Sequence, residues 1–596
     1  MLGPIFAREW VTVGRPASHY VARVVSLGGL WVVGITAWQA TVGFARTATL
    51  GETARFGLLF FQIVAFLQLT VVMFFAALSA ASTIAQEKDR RTFVLLLLTD
   101  MRDWEIVLGK MLGSLLPIAL LVLGGVPIFF MLLLLGGIDP EQVVQALVVL
   151  AATALGAGSL GGLIALWRDR TYQALALSVL LLVLYLCLTR ILAVSLSTDP
   201  DALLACIDPF AVMQAVLQGE QPTASLAPAY WYGLTMLGLA VLLNGVGIAR
   251  LRVWNPSGEP IMQRESPEQA DEDERDRQQA HAAPGKARAV WANPIAWREI
   301  RTRAYGRRPL LVKAAYAVVL GLICWFSFSG LETGQGRIPF ASAYGLVPVL
   351  VLSLLLVAAQ AVTSITSERD ARTLDLLLVT DLTPREFIFG KLAGILYNTK
   401  EFLLPPLVIA AVYAGMGLLA TPPRRHPEFS AAMNTQALVT VWGGMLVLLL
   451  FAMVLGVHVA LRNANSRVAI TNTLGTIFFL LVGTIIAIYI IIINSNFESQ
   501  WLTFLLFVGV GVGGLWYVLS GDRPSGALTL ASVLCPAAMF YCILNILVAN
   551  PGSEESTDPL LPFLVIVSAF GFAIAAMMVP MLSEFDVALG RTQRDE

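Results

Sequence analysis

The sequence predicts an all-α polytopic membrane protein built as a tandem duplication. Three observations predict it. Of the 596 residues, 57% are hydrophobic and only 13% charged, whereas a soluble chain carries about 25% charged residues. Apolar runs of about 18 residues or more, the length at which a helix crosses a bilayer, recur from end to end. And one polar stretch occurs twice. TIAQEKDRRTFVLLLLTDMRDWEIVLGK, from Thr83 to Lys110, aligns without a gap with SITSERDARTLDLLLVTDLTPREFIFGK, from Ser364 to Lys391, at an offset of 281 with 13 of 28 positions identical. The alternating ten-residue segments of a β-barrel are absent.

The chain opens on Pro4-Ile5-Phe6-Ala7-Arg8-Glu9-Trp10, a mixed apolar and charged segment suited to a helix lying at the membrane surface. It recurs as Pro294-Ile295-Ala296-Trp297-Arg298-Glu299, and Arg15-Pro16 has a counterpart in Arg308-Pro309, so the duplication exceeds the polar stretch. Spans are expected near 23–45, 56–85, 109–137, 142–167, 171–196 and 229–251. The first is too long for a signal-peptide core and is read as a retained span. Residues 255–292 are charged, lack an apolar face and read as a disordered linker between a first unit, 1–254, and a second, 293–596. The second unit repeats the layout near 310–330, 341–366, 390–420, 436–461 and 467–494. It then adds a hydrophobic hairpin near 501–549 before a last span at 561–583, giving about 14 spans (6+8), with 12 as the alternative if the hairpin is partly re-entrant.

Lys and Arg concentrate in alternate connections: Arg8, Arg15 and Arg23; Lys88, Arg90, Arg91, Arg102 and Lys110; Arg168 and Arg170; Arg250 and Arg252. The intervening connections are mainly acidic or neutral, with Asp139, Glu141, Asp199, Asp201 and Glu220; Arg46 and Arg55 are exceptions. By the positive-inside bias, both termini, the linker and both copies of the polar stretch are expected in the cytoplasm.

Each copy is an island between two apolar runs. A polar exit leads to a short apolar helix (Phe93 to Leu98; Leu374 to Val379), then to a Thr-Asp turn and an amphipathic piece ending in Gly-Lys. Thr99-Asp100 and Thr380-Asp381 are expected as helix caps, and Pro384 suits a first helical turn. A short helix with one apolar face, held outside the membrane, can dock in a partner's groove.

The pattern E-x-D-x-R-T-(F/L)-x-L-L-L-x-T-D followed by x4-E-x3-G-K resembles the cytoplasmic loop of ABC transporter permeases of the ABC-2 type, and Arg-Glu in the surface helix resembles that family's entry helix. The resemblance implies two fused permease units working with two copies of a cytoplasmic ABC ATPase, in a bacterial inner membrane, as an exporter. It leaves room for accessory exporter subunits; no nucleic-acid partner is expected. It implies that the islands touch the ATPase, through Glu87, Arg91, Thr92, Asp100 and Glu105 in one and Glu368, Arg372, Thr373, Asp381 and Glu386 in the other. Neither Gly109-Lys110 nor Gly390-Lys391 has the GxxxxGK[ST] context of a phosphate loop, so ATP and Mg²⁺ are expected on the partner and no cofactor on this chain. Most members of the family are single units, and the 501–549 hairpin departs from the basic pattern.

Ionisable groups inside spans are candidate functional sites. Arg190, Lys400, Glu401 and His458 qualify, although Arg190 can snorkel to the outer interface, Lys400 and Glu401 can sit at an interface, and His458 can be a packed histidine one turn from Arg462. Gln68, Gln360 and Asn244 can hydrogen-bond between helices, and the small-residue run Leu155 to Gly162 suits close helix packing. The five cysteines are scattered, and the four histidines include no HExxH pair, which argues against an intramembrane enzyme. A membrane scaffold or sensor recruiting a partner without transport is the other reading; a lipid-modifying enzyme is a third.

Overall fold

The computed structural model describes residues 3–13, 17–43, 49–196, 200–219, 227–255, 290–301, 309–332, 341–378, 382–416, 419, 430–493, 501–520, 525–548 and 560–583. Most of the linker and the predicted cap Thr380-Asp381 lie outside these residues. The described residues form helices and no strand.

In the first half the helices are α1 (Gly3–Val13), α2 (Ala17–Thr41), α3 (Leu50–Asp89), α4 (Phe93–Leu97), α5 (Asp103–Leu135), α6 (Pro140–Trp167), α7 (Thr171–Leu196), α8 (Pro200–Ile207), α9 (Pro209–Gln218) and α10 (Pro228–Trp254). In the second they are α11 (Pro294–Arg301), α12 (Pro309–Glu332), α13 (Ala341–Asp370), α14 (Thr373–Leu378), α15 (Pro384–Gly415), α16 (Ser430–Arg462), α17 (Ser466–Ile493), α18 (Trp501–Ser520), α19 (Gly526–Val548) and α20 (Leu560–Ser583). Among the described residues, 12 helices are long and apolar enough to cross a membrane. Helices α2 and α18 occupy the two other places where the sequence predicts spans.

The packing repeats as the sequence does. In the first half α1 lies on α5, α3 packs against α5, α6 and α7, and α10 packs against α6. In the second, α11 lies on α15, α13 packs against α15, α16 and α17, and α20 packs against α16. The run Leu155 to Gly162 lets α6 close onto its neighbours: a Cβ on Gly161 would collide with the Ala77 carbonyl of α3. Between the fifth and sixth spans the halves diverge. The first half has the short helices α8 and α9 packed among α6, α7 and α10, where the sequence suggested only a connection; the second has the α18–α19 hairpin.

The halves meet through reciprocal faces. Helix α7 packs on α12 and α13, and α17 packs on α2 and α3. Phe478 of α17 stacks on Phe74 of α3 at 4.7 Å between ring centroids and meets Phe75 edge-on at 5.4 Å. A continuous buried cluster runs from Phe74 and Leu78 to Val362, Ile365 and Leu474, so one apolar core joins the two units.

Helix α3 has 40 residues, about 60 Å at 1.5 Å per residue, roughly twice the hydrocarbon thickness of a bilayer.

Candidate functional site

Each island begins where a long helix is stopped. Arg91 adopts φ 58° and Arg372 φ 56°, the only positive φ values outside glycine among the described residues. At the first island the N–H of Arg91 donates to Lys88 O and that of Thr92 to Glu87 O, both at 3.0 Å. This is the pair of hydrogen bonds of a helix ended by a left-handed residue, a place that usually takes glycine. The Arg372 N–H donates likewise to Arg369 O at 2.9 Å. The Thr hydroxyls repeat the tie: Thr92 Oγ1 to Glu87 O at 3.3 Å, and Thr373 Oγ1 to Glu368 O at 3.1 Å.

The next ties are ionic. Glu87 accepts from Lys110, and Glu368 from Lys391 at 2.8 Å. The conserved spacing of the two copies therefore joins the island's exit to its last lysine. One residue on, Lys88 Nζ donates to Leu166 O at 2.5 Å and Arg168 O at 3.1 Å; its counterpart Arg369 donates to Leu461 O at 3.3 Å and to Asn463 O. Both cations thus cap the carbonyl end of the fourth span, where the helix dipole favours positive charge.

The second island is bound more tightly. Glu299 of α11 is 1% exposed, accepts from Lys391 at 2.7 Å and from Arg298 at 2.9 Å, and Arg298 also donates to Glu368. Burial alone would push the Glu299 carboxyl up, but the charge of Lys391 and the hydrogen bonds from Lys391 and Arg298 outweigh it and hold the pKa below the ordinary glutamate value. Helix α11 fits because the facing glycines have no side chain: a Cβ on Gly390 would lie 2.8 Å from Ile295 Cβ, and one on Gly394 2.5 Å from Glu299 Cβ. In the first half Gly109 faces Ile5 at 3.2 Å and Gly113 faces Glu9 at 2.9 Å. Sequence reasoning missed Glu299, Arg298, Gly113 and Gly394 as parts of the site. The signal was there: both copies read Gly-Lys-x-x-Gly, one helical turn of small residues opposite a repeated Pro-Ile-x-x-Arg-Glu.

The predicted contact residues divide into two groups. Arg91, Thr92, Asp100, Arg372 and Thr373 are exposed. Glu87 and Glu368 point inward to their lysines. Glu105 and Glu386 close the first turns of α5 and α15, accepting from the N–H groups of Arg102 and Thr383, each at 3.0 Å. This corrects the expected cap at Thr99-Asp100: Thr99 Oγ1 instead donates back to Leu96 O at 2.6 Å, and α5 starts only at Asp103, after an extended Arg102. Pro384 does occupy the first turn of α15. Asp381 lies outside the described residues. On α4, Phe93 and Leu97 are buried, while Leu95 and Leu98 are 63% and 67% exposed.

Residues 42–326 match the family model described as ABC-2 family transporter protein. That stretch, a little under half of the chain, is similar to the ABC-2 transporter family. The match takes in the first island and ends within α12; the second island lies beyond it and repeats the first at the 281-residue offset. No curated protein matches the sequence. The match and the 12 helices long and apolar enough to cross a membrane together support a transporter permease.

The polar residues in the permease's spans are distributed singly. Arg190, half exposed, pairs with the buried Asp208 that starts α9, at 3.1 Å. Lys400 and Glu401 do not pair with each other: Lys400 sits 4.0 Å over the Tyr397 ring, and Glu401 bonds Lys313 of α12 at 2.6 Å. His458 is buried beside Leu519 O, the carbonyl to which Arg462 donates, so both residues face the end of α18. Asn244 donates to Ser159 Oγ at 2.8 Å, joining α10 to α6. Gln68 Oε1 and Gln360 Nε2 are buried with no partner.

Proposed function

We propose that this permease serves an ATP-driven exporter and that its two islands receive two copies of a separate ATPase. The observation that carries the reading is α4. It is anchored through Phe93 and Leu97 and presents Leu95 and Leu98 outward from an island flanked by charge. Exposed leucines on a lipid-facing span need no partner; leucines on a charged island beyond the span are the anchors of a docked helix. ATP and Mg²⁺ would be held by the partner, and ATP-driven closure of two ATPases would move the islands and, through α3, α5, α13 and α15, the two halves. The islands and both termini would face the cytoplasm of a bacterium, as the basic connections favour.

The test is affinity capture of the full chain from solubilised membranes, with partners identified by mass. Glu87 and Glu368 are poor probes because reversing them would strand Lys110 and Lys391. The variant L95D/L98D changes only exposed groups. It should recover about half as much ATPase as the unaltered chain, because the second island keeps its own site, with no change in thermal unfolding midpoint. Equal recovery of the ATPase by both would remove α4 from the docking surface. Recovery by neither would favour a membrane scaffold or sensor.

A further inference from the structure

Beneath the islands the two halves meet in a charged contact that the duplication does not repeat. Arg90 Nε lies 3.0 Å from Asp370 Oδ1, joining the end of α3 to the end of α13. The mirror contact would join residue 371 to Asp89, but residue 371 is Ala. Asp89 instead accepts from Thr171 Oγ1 at 2.6 Å, within its own half. Thr171 is the first residue of α7. The first residue of the equivalent helix, α17, is Ser466, which is 1% exposed and whose hydroxyl has no hydrogen-bond partner. Helices α13 and α17 pack together as α3 and α7 do.

We propose that Asp370 is a partner-exchanging latch. In the state seen here it holds the first half through Arg90; when the islands part it turns to Ser466, reproducing the arrangement that Asp89 and Thr171 already show. Three physical facts support the exchange. The Asp370 side chain is only 6% exposed, so its carboxylate needs a partner in every state, whereas Arg90, 44% exposed, can be left to water. An idle buried hydroxyl is itself costly and waits for an acceptor. And Asp89 and Asp370 repel each other across the seam, which favours parting once Arg90 is withdrawn. The inference concerns how the halves are held, and stands whether or not an ATPase is what moves them. Asp370 is here a positioning residue: it sets which of two arrangements the islands adopt.

The experiment uses the full chain in lipid nanodiscs, with spin labels on cysteines placed at the exposed Thr92 and Thr373 and the half-buried native cysteines removed as C187S/C206S/C324S. Inter-island distances are read together with thermal unfolding midpoints. R90A should shift the distances outward. R90A/A371R, which supplies the missing mirror arm to Asp89, should bring them back. S466A alone should leave the midpoint no lower, since it removes an idle buried hydroxyl, and should lower it in the R90A background, where Asp370 depends on that hydroxyl. Unchanged distances in R90A would overturn the latch. So would an S466A effect of equal size in both backgrounds, which would make Ser466 an ordinary packing residue. Should R90A not fold, D370N carries the same outward expectation, and an unshifted distribution there counts equally against the proposal.

Discussion

Lys391 shows what a single buried charge demands. It is 1% exposed and lies between two carboxylates, Glu299 at 2.7 Å and Glu368 at 2.8 Å, with Arg298 balancing the second negative charge. Removing one partner of such a cluster leaves an uncompensated buried ion, which costs roughly 3–5 kcal/mol. K391M should therefore lower the unfolding midpoint of the purified chain sharply. K110M should lower it less, because Glu87 is 23% exposed and can recover water. Glu299 adds a pH signature. Its folded pKa is depressed, so its stabilising contribution is complete above the free glutamate value of about 4.3 and is lost as pH falls through the lower folded value. Unfolding midpoints should carry this loss only below about pH 4. E299Q should start less stable at neutral pH and lack that acid-side component; an identical acid profile in E299Q would show that the cluster does not titrate with folding.

At the scale of elements, the contact of α11 with α15 depends on two missing side chains. G394A would drive a methyl group into Glu299, which is pinned by two cations and cannot swing away. An overpacked contact of this kind costs about 1–3 kcal/mol. In G113A the colliding atoms belong to Glu9, which is only half buried and has room to move, so the loss should be smaller. Thiol accessibility at I295C reports the outcome: labelling should speed up in G394A, and equal rates with and without the substitution would mean α11 is held by its charges alone. These elements also mark what the sequence could disclose. The islands were legible because charge between apolar runs is conspicuous and was written twice. The cap of α5 was not, since Thr99, Asp100 and Arg102 all stand in one turn and only backbone geometry selects among them. Glu299 and Lys391 stand 92 residues apart, and no periodicity couples surface-helix residues to a helix that far along the chain. The left-handed Arg91 and Arg372 were likewise hidden, because residue type there argues for glycine.

For the whole molecule, the decisive feature is that the apolar core crosses the junction of the halves. The faces α7 with α12 and α13, and α17 with α2 and α3, bury Phe74, Phe478, Val349, Leu352 and Leu474 in one cluster. Within a bilayer, burial gains nothing over lipid tails, so such faces are held by close packing and by stacked rings such as Phe74 on Phe478. The α18–α19 hairpin adds to the seam of α17 with α2, since α18 packs on both. The covalent link is then a matter of stoichiometry rather than cohesion. A protease site placed within residues 256–289 and cut after purification should leave the two halves co-migrating in mild detergent. F478A should weaken that association after cutting while leaving the uncut chain's migration unchanged, because the linker then holds the halves at high effective concentration. Halves that part on cutting alone would mean that the shared core is too weak to assemble the permease without its linker, and the two units would have to be regarded as tethered rather than fused into one body.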